Sequence, residues 1–417
     1  MNSLADQLKQ RILVLDGGMG TMLQRMQGTE QDCVRRIHQL YIEAGADIIS
    51  THTFTANEGP ELRERNLRFG RLAREVADAC TDRKIYVAGS VGPTNHTLSM
   101  SDDATFDQLY RGYATQMKAL AEGGVDVFIF ETFFDTLNLK AALVAARDVA
   151  PDMPLMVSAT LEKSGRLLSG QTIEAFVATV APFKPLSIGF NCSFGARDLL
   201  GYVVQLSQCS PFYLSVYPNA GLPNQLGEYD ESPEMMAGFM QPYFDQTLLN
   251  VVGGCCGTTP DHIRLIADKA RTARPRRLPE LSETSMLAGL EPLQFDHFVH
   301  VGERTNVAGS KKFAKLIAAK NYDEALLVAR RQVEGGAQVI DVCMDDALLD
   351  AKQCMAEFLH LAGADPYIAK VPVMIDSSKW EVLQTGLKNT QGKPIVNSIS
   401  LKEGEQVFLE RAAYIQK

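Results

Sequence analysis

Val251-Val252-Gly253-Gly254-Cys255-Cys256-Gly257-Thr258-Thr259-Pro260 passes from an apolar β-branched pair through glycines and two adjacent cysteines to a helix start. Side chains of neighbouring residues on a regular strand point to opposite faces, so a strand carried through would hold Cys255 and Cys256 apart. Glycine tolerates backbone conformations that a side chain forbids. If the chain leaves the strand and turns here, both sulfurs converge on one point. Asn191-Cys192-Ser193-Phe194-Gly195 also ends an apolar run and is able to supply a third sulfur. Three thiolates around an open fourth position describe a catalytic zinc rather than a closed structural one. Two plainer readings stand beside this: a pair of small buried residues, or a vicinal disulfide, which a reducing compartment disfavours.

The same pattern, an apolar run ending in polar chemistry and followed by an amphipathic stretch, recurs upstream. It is the signature of alternating strands and helices. The runs are 12–15, 47–51, 85–90, 126–130, 155–158, 186–190, 212–216 and 249–252, with helical patterns at 32–44, 61–80 and 106–122 among those between them. Eight such units predict an α/β fold, a complete (β/α)8 TIM barrel, whose working residues sit at the carboxyl ends of its strands. Asp16, Glu131, Cys192 and the Cys255-Cys256 pair all fall at such ends. Scattered core cysteines would have no reason to.

Residues 274–296 break the alternation, with prolines at 275, 279 and 292 and charges at Arg274, Arg276, Arg277, Glu280 and Glu283. They read as a linker between a barrel over 1–273 and a second unit over 297–417. Four further strands are expected, at 298–302, 339–340, 371–375 and 395–396, then a last helix from Gln406. Four strand-helix units cannot close a barrel, and an open half would bare edge strands and an apolar interior. The expectation is an incomplete second barrel, either because the chain is a fragment, the favoured reading, or because a partner completes it.

The 417 residues suit two domains, and 46% hydrophobic with 22% charged residues is ordinary globular composition. A net charge of -9 argues against nucleic-acid or anionic-membrane partners. No apolar run approaches a membrane span, and Met1–Gln10 lacks the apolar core of a signal peptide. Eight dispersed cysteines are no disulfide scaffold, so the expected location is the reducing cytoplasm.

With these motifs assembled, the chain resembles the amino-terminal part of the cobalamin-dependent methionine synthases. The resemblance rests on LDGGMGT (15–21), VGPTN (91–95), DTLN (135–138), SGQT (169–172), PNAGLPN (218–224), GGCCGTTP (253–260), VGERTNVAGS (301–310), MIDSSKW (374–380) and VNSIS (396–400). It implies that Cys192, Cys255 and Cys256 bind zinc, with homocysteine supplying its sulfur as fourth ligand. Coordination to a cation deprotonates a thiol that is otherwise mostly protonated at neutral pH. It also implies that Asp16 and Glu131 hold the amino-acid part of homocysteine, carboxylates being suited to its ammonium. In the second unit it implies a site for 5-methyltetrahydrofolate built from Glu303, Asn306, Asp341, Asp376 and Asn397, which can pair with the amide-like edge of a pterin. Asp341 or Asn306 is equally suited to capping a turn.

The activity implied is methyl transfer to zinc-activated homocysteine, giving methionine, from methylcobalamin that is remethylated by methyltetrahydrofolate. No Asp-x-His-x-x-Gly cobalamin motif or reactivation domain occurs, so a cobalamin-carrying domain or protein is an expected partner. Cys343 stands where the family tends to have Asn, and the loops after the first two strands are shorter than usual in the family. Two alternatives remain: a stand-alone homocysteine S-methyltransferase using a small methyl donor, and a catalytically silent zinc-binding remnant.

Overall fold

A computed structural model describes residues 3–99, 104–280 and 286–416. Its first eight strands are β1 Leu13–Val14, β2 Ile48–Ser50, β3 Tyr86–Val91, β4 Val127–Phe133, β5 Leu155–Ala159, β6 Ser187–Gly195, β7 Tyr213–Asn219 and β8 Val251–Val252. They pair in parallel in the order β1-β8-β7-β6-β5-β4-β3-β2. A bridge between Leu15 and Ile48, with Asp47 donating to the Val14 carbonyl at 2.7 Å, joins the two ends. The protein is therefore an α/β barrel, as its strand pattern predicts.

Alternation along each strand explains the near-continuous apolar runs, because both faces are covered. Leu13, Leu15, Val127, Ile129, Tyr217 and Val251 pack in one cluster that fills the interior. Leu4 and Leu8, from a short helix Leu4–Gln10, join the same cluster. Val14, Phe128, Phe130 and Val252 face the other way, under the surrounding helices. The helix Phe106–Glu122 has the bounds expected and opens on a capping box between Thr105 and Gln108.

Three strands run past their apolar cores. β4 reaches Phe133, β6 reaches Gly195 and β7 reaches Asn219. The pairing register shifts between Phe130 and Phe133 and again between Asn191 and Gly195. Thr132 (φ 64°) and Cys192 (φ 58°) take left-handed backbone at these irregularities. Such conformations cost on the order of 1–3 kcal/mol in a non-glycine residue and cluster where a side chain must be re-aimed. Periodicity alone ends these strands too early, since it follows apolar residues and the extensions are polar.

The segment 274–296 is tied down at both ends. The Arg276 guanidinium is buried and donates to the carbonyls of Ser207, Ser210 and Phe212 at 2.8–2.9 Å. An antiparallel hairpin of β9 Met286–Ala288 and β10 Pro292–Gln294 packs on the helix Ile173–Val180. Gln171 donates to the Gly289 carbonyl at 2.8 Å and Arg166 pairs with Glu291 at 2.6 Å. Glu283 lies outside the described residues.

Beyond the hairpin, β11 Val301–Asn306, β12 Val339–Cys343, β13 Val373–Asp376 and β14 Ile395–Asn397 form a parallel sheet in sequence order. This is the incomplete second barrel expected, with one correction. Phe298-Val299-His300 is not strand: pairing begins at Val301 opposite Val339, and Phe298 is 85% exposed. Helices cover one face of the sheet, where Phe313 and Phe358 meet edge to face at 5.3 Å between ring centres. The final helix, Glu405–Gln416, has nearly the predicted start.

Candidate metal centre and carboxylate rim

Cys255 and Cys256 lie just past β8, where the chain has left regular strand and turns at Gly257 (φ 80°). The turn is built by close approach. A Cβ on Gly253 would meet Leu15 Cβ at 2.8 Å, and one on Gly18 would meet the Cys255 carbonyl at 2.6 Å. The Cys255 amide donates to Pro218 at 2.8 Å, and the Thr258 hydroxyl donates to the Cys255 carbonyl at 2.7 Å. The loop after β1 thus clasps the loop after β8, and the two sulfurs face one point.

Cys192, aimed by its left-handed backbone, completes the group. Its Sγ stands 3.6 Å from that of Cys256, and all three sulfurs lie within 4.8 Å of one another. A tetrahedral ion with zinc–sulfur bonds of about 2.3 Å needs sulfurs about 3.8 Å apart, so the donor set and its spacing fit zinc. Hydrogen bonding with Cys192 and Cys255 holds the Cys256 thiol well below the ordinary range, at about 3. Cys255 is pushed well above it, through its hydrogen bonds to Cys192 and Cys256.

Asparagines that the sequence reading did not single out hold this group. Asn219 donates through Nδ2 to the Cys192 carbonyl at 2.9 Å and accepts from the Cys256 amide at 3.1 Å. Asn191 is locked to Thr132 by two bonds, 2.8 and 2.9 Å, and accepts from the Ser158 hydroxyl at 2.7 Å. Both stand in the quoted neighbourhoods of Cys192 and PNAGLPN, but their partners are 27 to 59 residues away. Tyr217 was also missed: buried in the interior, its hydroxyl is raised well above the ordinary range by that burial and by nearby Glu131.

Asp16 is buried, 2% exposed, and accepts from the amide and hydroxyl of Ser50 at 2.8 and 2.9 Å. Glu131 accepts a short bond from the Ser90 hydroxyl. Burial pushes Asp16 up to about 8, with Glu131 adding to the rise, and Glu131 up to about 7. Among the described residues neither has a cationic side chain within salt-bridge distance, so the rim offers carboxyl groups without a counter-charge. A ligand ammonium would supply one.

The second sheet brings its residues together by register. Asn306 pairs with Cys343, Cys343 with Asp376, and Asp376 with Asn397, giving one row across the carboxyl ends of four strands. Asp341 lies two residues back on the face of Cys343. Asn306 donates to Asp341 at 3.0 Å and, longer, to Asp376 at 3.4 Å. Its Oδ1 meanwhile accepts from the amides of Ala308 and Gly309, so it caps the turn as well. Asp341 is buried, its Oδ1 has no partner, and burial raises it to about 6. Asp376 is raised too, mainly by burial, while Glu303 and Asn397 are exposed. No helix among the described residues is long and apolar enough to cross a membrane.

The family model for homocysteine S-methyltransferase matches residues 13–270, and that for pterin binding enzymes matches residues 302–416. The apo form of the homocysteine methyltransferase MmuM from Escherichia coli is 25% identical with a TM-score of 0.53, covering 64% of this chain and 98% of its own. Its metallated form is 24% identical with a TM-score of 0.51, covering 63% of this chain and 97% of its own.

Proposed function

The chain belongs to the homocysteine S-methyltransferase family, with a pterin-binding domain behind it, and on that premise we propose that it is a methionine-forming module of the cobalamin-dependent type. The observation that carries the reading is the convergence of three sulfurs within 4.8 Å on a rim that also holds a buried carboxyl, Asp16, and a half-buried one, Glu131, neither with a counter-charge among the described residues. That rim matches a substrate with a thiol at one end and an ammonium at the other, as homocysteine has. Cys192, Cys255 and Cys256 would hold zinc, which when bound lowers the pKa of a coordinated thiol and keeps it as a nucleophilic thiolate. Asp16 and Glu131 bind and orient the ammonium, each giving up its proton as the cation arrives. Ser50 and Ser90 fix those carboxyls, and Asn219 fixes the two sulfur-bearing loops.

In the second sheet, the row Asn306, Asp376 and Asn397, with Asp341 behind it and Glu303 beside it, pairs with the edge of methyltetrahydrofolate. Methylcobalamin, carried by a domain or protein outside this chain, is the proposed shuttle between the two sites. A second reading is a homocysteine methyltransferase that takes its methyl group from a small donor. It is favoured by the 98% coverage of MmuM, which the first barrel alone provides.

Zinc-loaded protein is to be given homocysteine with either methylcobalamin or betaine, and methionine measured. Methionine from methylcobalamin, stimulated by methyltetrahydrofolate, supports the first reading; methionine from betaine alone supports the second. If neither donor works and homocysteine releases no proton on addition, the methyltransferase assignment of this chain fails.

A further inference from the structure

A cavity of about 610 Å³ lies between the barrel and the second sheet. Ligand sites span about 300–1,000 Å³ and favour domain junctions. Its walls are mostly apolar: Val144 and Phe183 come from the barrel side, Leu387 and Ile415 from the other. Two of the cations in these walls, Lys140 and Lys393, form no salt bridge with a carboxylate among the described residues. The Lys140 ammonium donates to the carbonyls of Thr390 at 2.8 Å and Gly392 at 3.2 Å, which spends two of its three protons on neutral acceptors. No carboxylate among the described residues pairs with it or with Lys393. Lys388 in the same wall differs, since Asp107 meets it at 2.7 Å. The carboxylate in the wall, Asp148, accepts from the Tyr110 hydroxyl at 2.9 Å. Burial depresses both unmatched lysines, Lys140 to about 8. A cation taken out of water without an opposite charge is a cost that a bound anion removes.

We propose that this interdomain cavity binds a small organic anion with an apolar body, with Lys140 and Lys393 as its counter-charges. The apolar walls take the body, and the lysines, one from each side, take the acidic group. Because the two cations belong to different parts of the chain, the ligand braces the junction, and occupancy raises the melting temperature.

The test uses the full chain and the aromatic anion 8-anilinonaphthalene-1-sulfonate, followed by fluorescence. A single saturable site is expected, with a neutral analogue lacking the sulfonate, N-phenyl-1-naphthylamine, binding at least about tenfold more weakly. Lys140→Met and Lys393→Met are each expected to raise the dissociation constant by about tenfold or more. Val144→Trp, which fills the cavity, abolishes saturable binding. Circular dichroism and zinc content check that each variant is folded. Should Lys140→Met fail that check, Lys393→Met and Val144→Trp decide. No saturable site, an equally tight neutral probe, or folded variants that bind the anion unchanged would overturn the proposal.

Discussion

The rim of the closed barrel and the edge row of the second sheet use similar residue types but differ in how they are held. Around the three cysteines, loops from different strands fix one another: Asn219 binds two sulfur-bearing segments, and Thr258 joins the loops after β1 and β8. Asn306, Asp341 and Asp376 hold mainly one another, and Glu303 and Asn397 face solvent. A ring of eight strands supplies neighbours on both sides of each site residue; a sheet of four leaves its outer members with one. Preorganisation therefore differs more than composition does.

The largest expected effect separates the two regions completely. Cys255→Ser should lower zinc affinity on the order of a thousandfold, measured by competition with a chromophoric chelator, and abolish methionine formation. Methyltetrahydrofolate binding should not change; if it falls in parallel, the regions are not independent. The converse variant, Asp341→Asn, removes a charge from the row and should weaken methyltetrahydrofolate binding by up to about a hundredfold in calorimetry. Zinc content should stay stoichiometric.

A third measurement tests the helix layer around the barrel, where His38 lies on the helix Glu30–Glu43. His38 is fully buried, neither ring nitrogen has a partner, and burial lowers it to about 3, with His52 and Arg35 adding to the shift. Its folded value lies below the unfolded one of 6.5, so the unfolded chain binds the extra proton between those values. Stability is complete above about 6.5 and is lost as the pH falls toward 3. The loss at pH 5 should be about 2 kcal/mol, and His38→Leu should abolish it in denaturant titrations. An acid dependence unchanged in that variant would place the sensitive group elsewhere. The smallest effect tests the support around the sulfurs: Asn219→Ala should weaken zinc by at least about tenfold without unfolding the barrel. Unaltered affinity would mean that Asn219 only connects loops.

Much of the architecture is local enough to read along the chain. Apolar runs followed by amphipathic stretches mark elements that the fold contains, the helix Phe106–Glu122 with its bounds as expected. The ends of β4, β6 and β7 were harder, because Glu131, Cys192 and Asn219 extend strands with polar residues that no apolar pattern includes. Phe298 misled in the other direction: it suits a strand by type, but pairing begins only at Val301. The cysteines at the site were legible because they sit after apolar runs. Asn191, Asn219 and Tyr217 were not, because an asparagine or tyrosine near a strand end is common whatever its partners.

From its residues alone, this protein is an alternating strand–helix chain with Asp16, Glu131, Cys192, Cys255 and Cys256 at strand ends, since periodicity and turn chemistry involve only near neighbours. Tertiary structure decided that sulfurs 64 residues apart stand 3.6 Å from each other. It also decided that Cys192 is re-aimed through left-handed backbone, and that the Lys140 ammonium meets the carbonyls of Thr390 and Gly392 some 250 residues along the chain. Those outcomes depend on strand register around a closed ring and on which surfaces meet across it, and neither is encoded in any short stretch of chain.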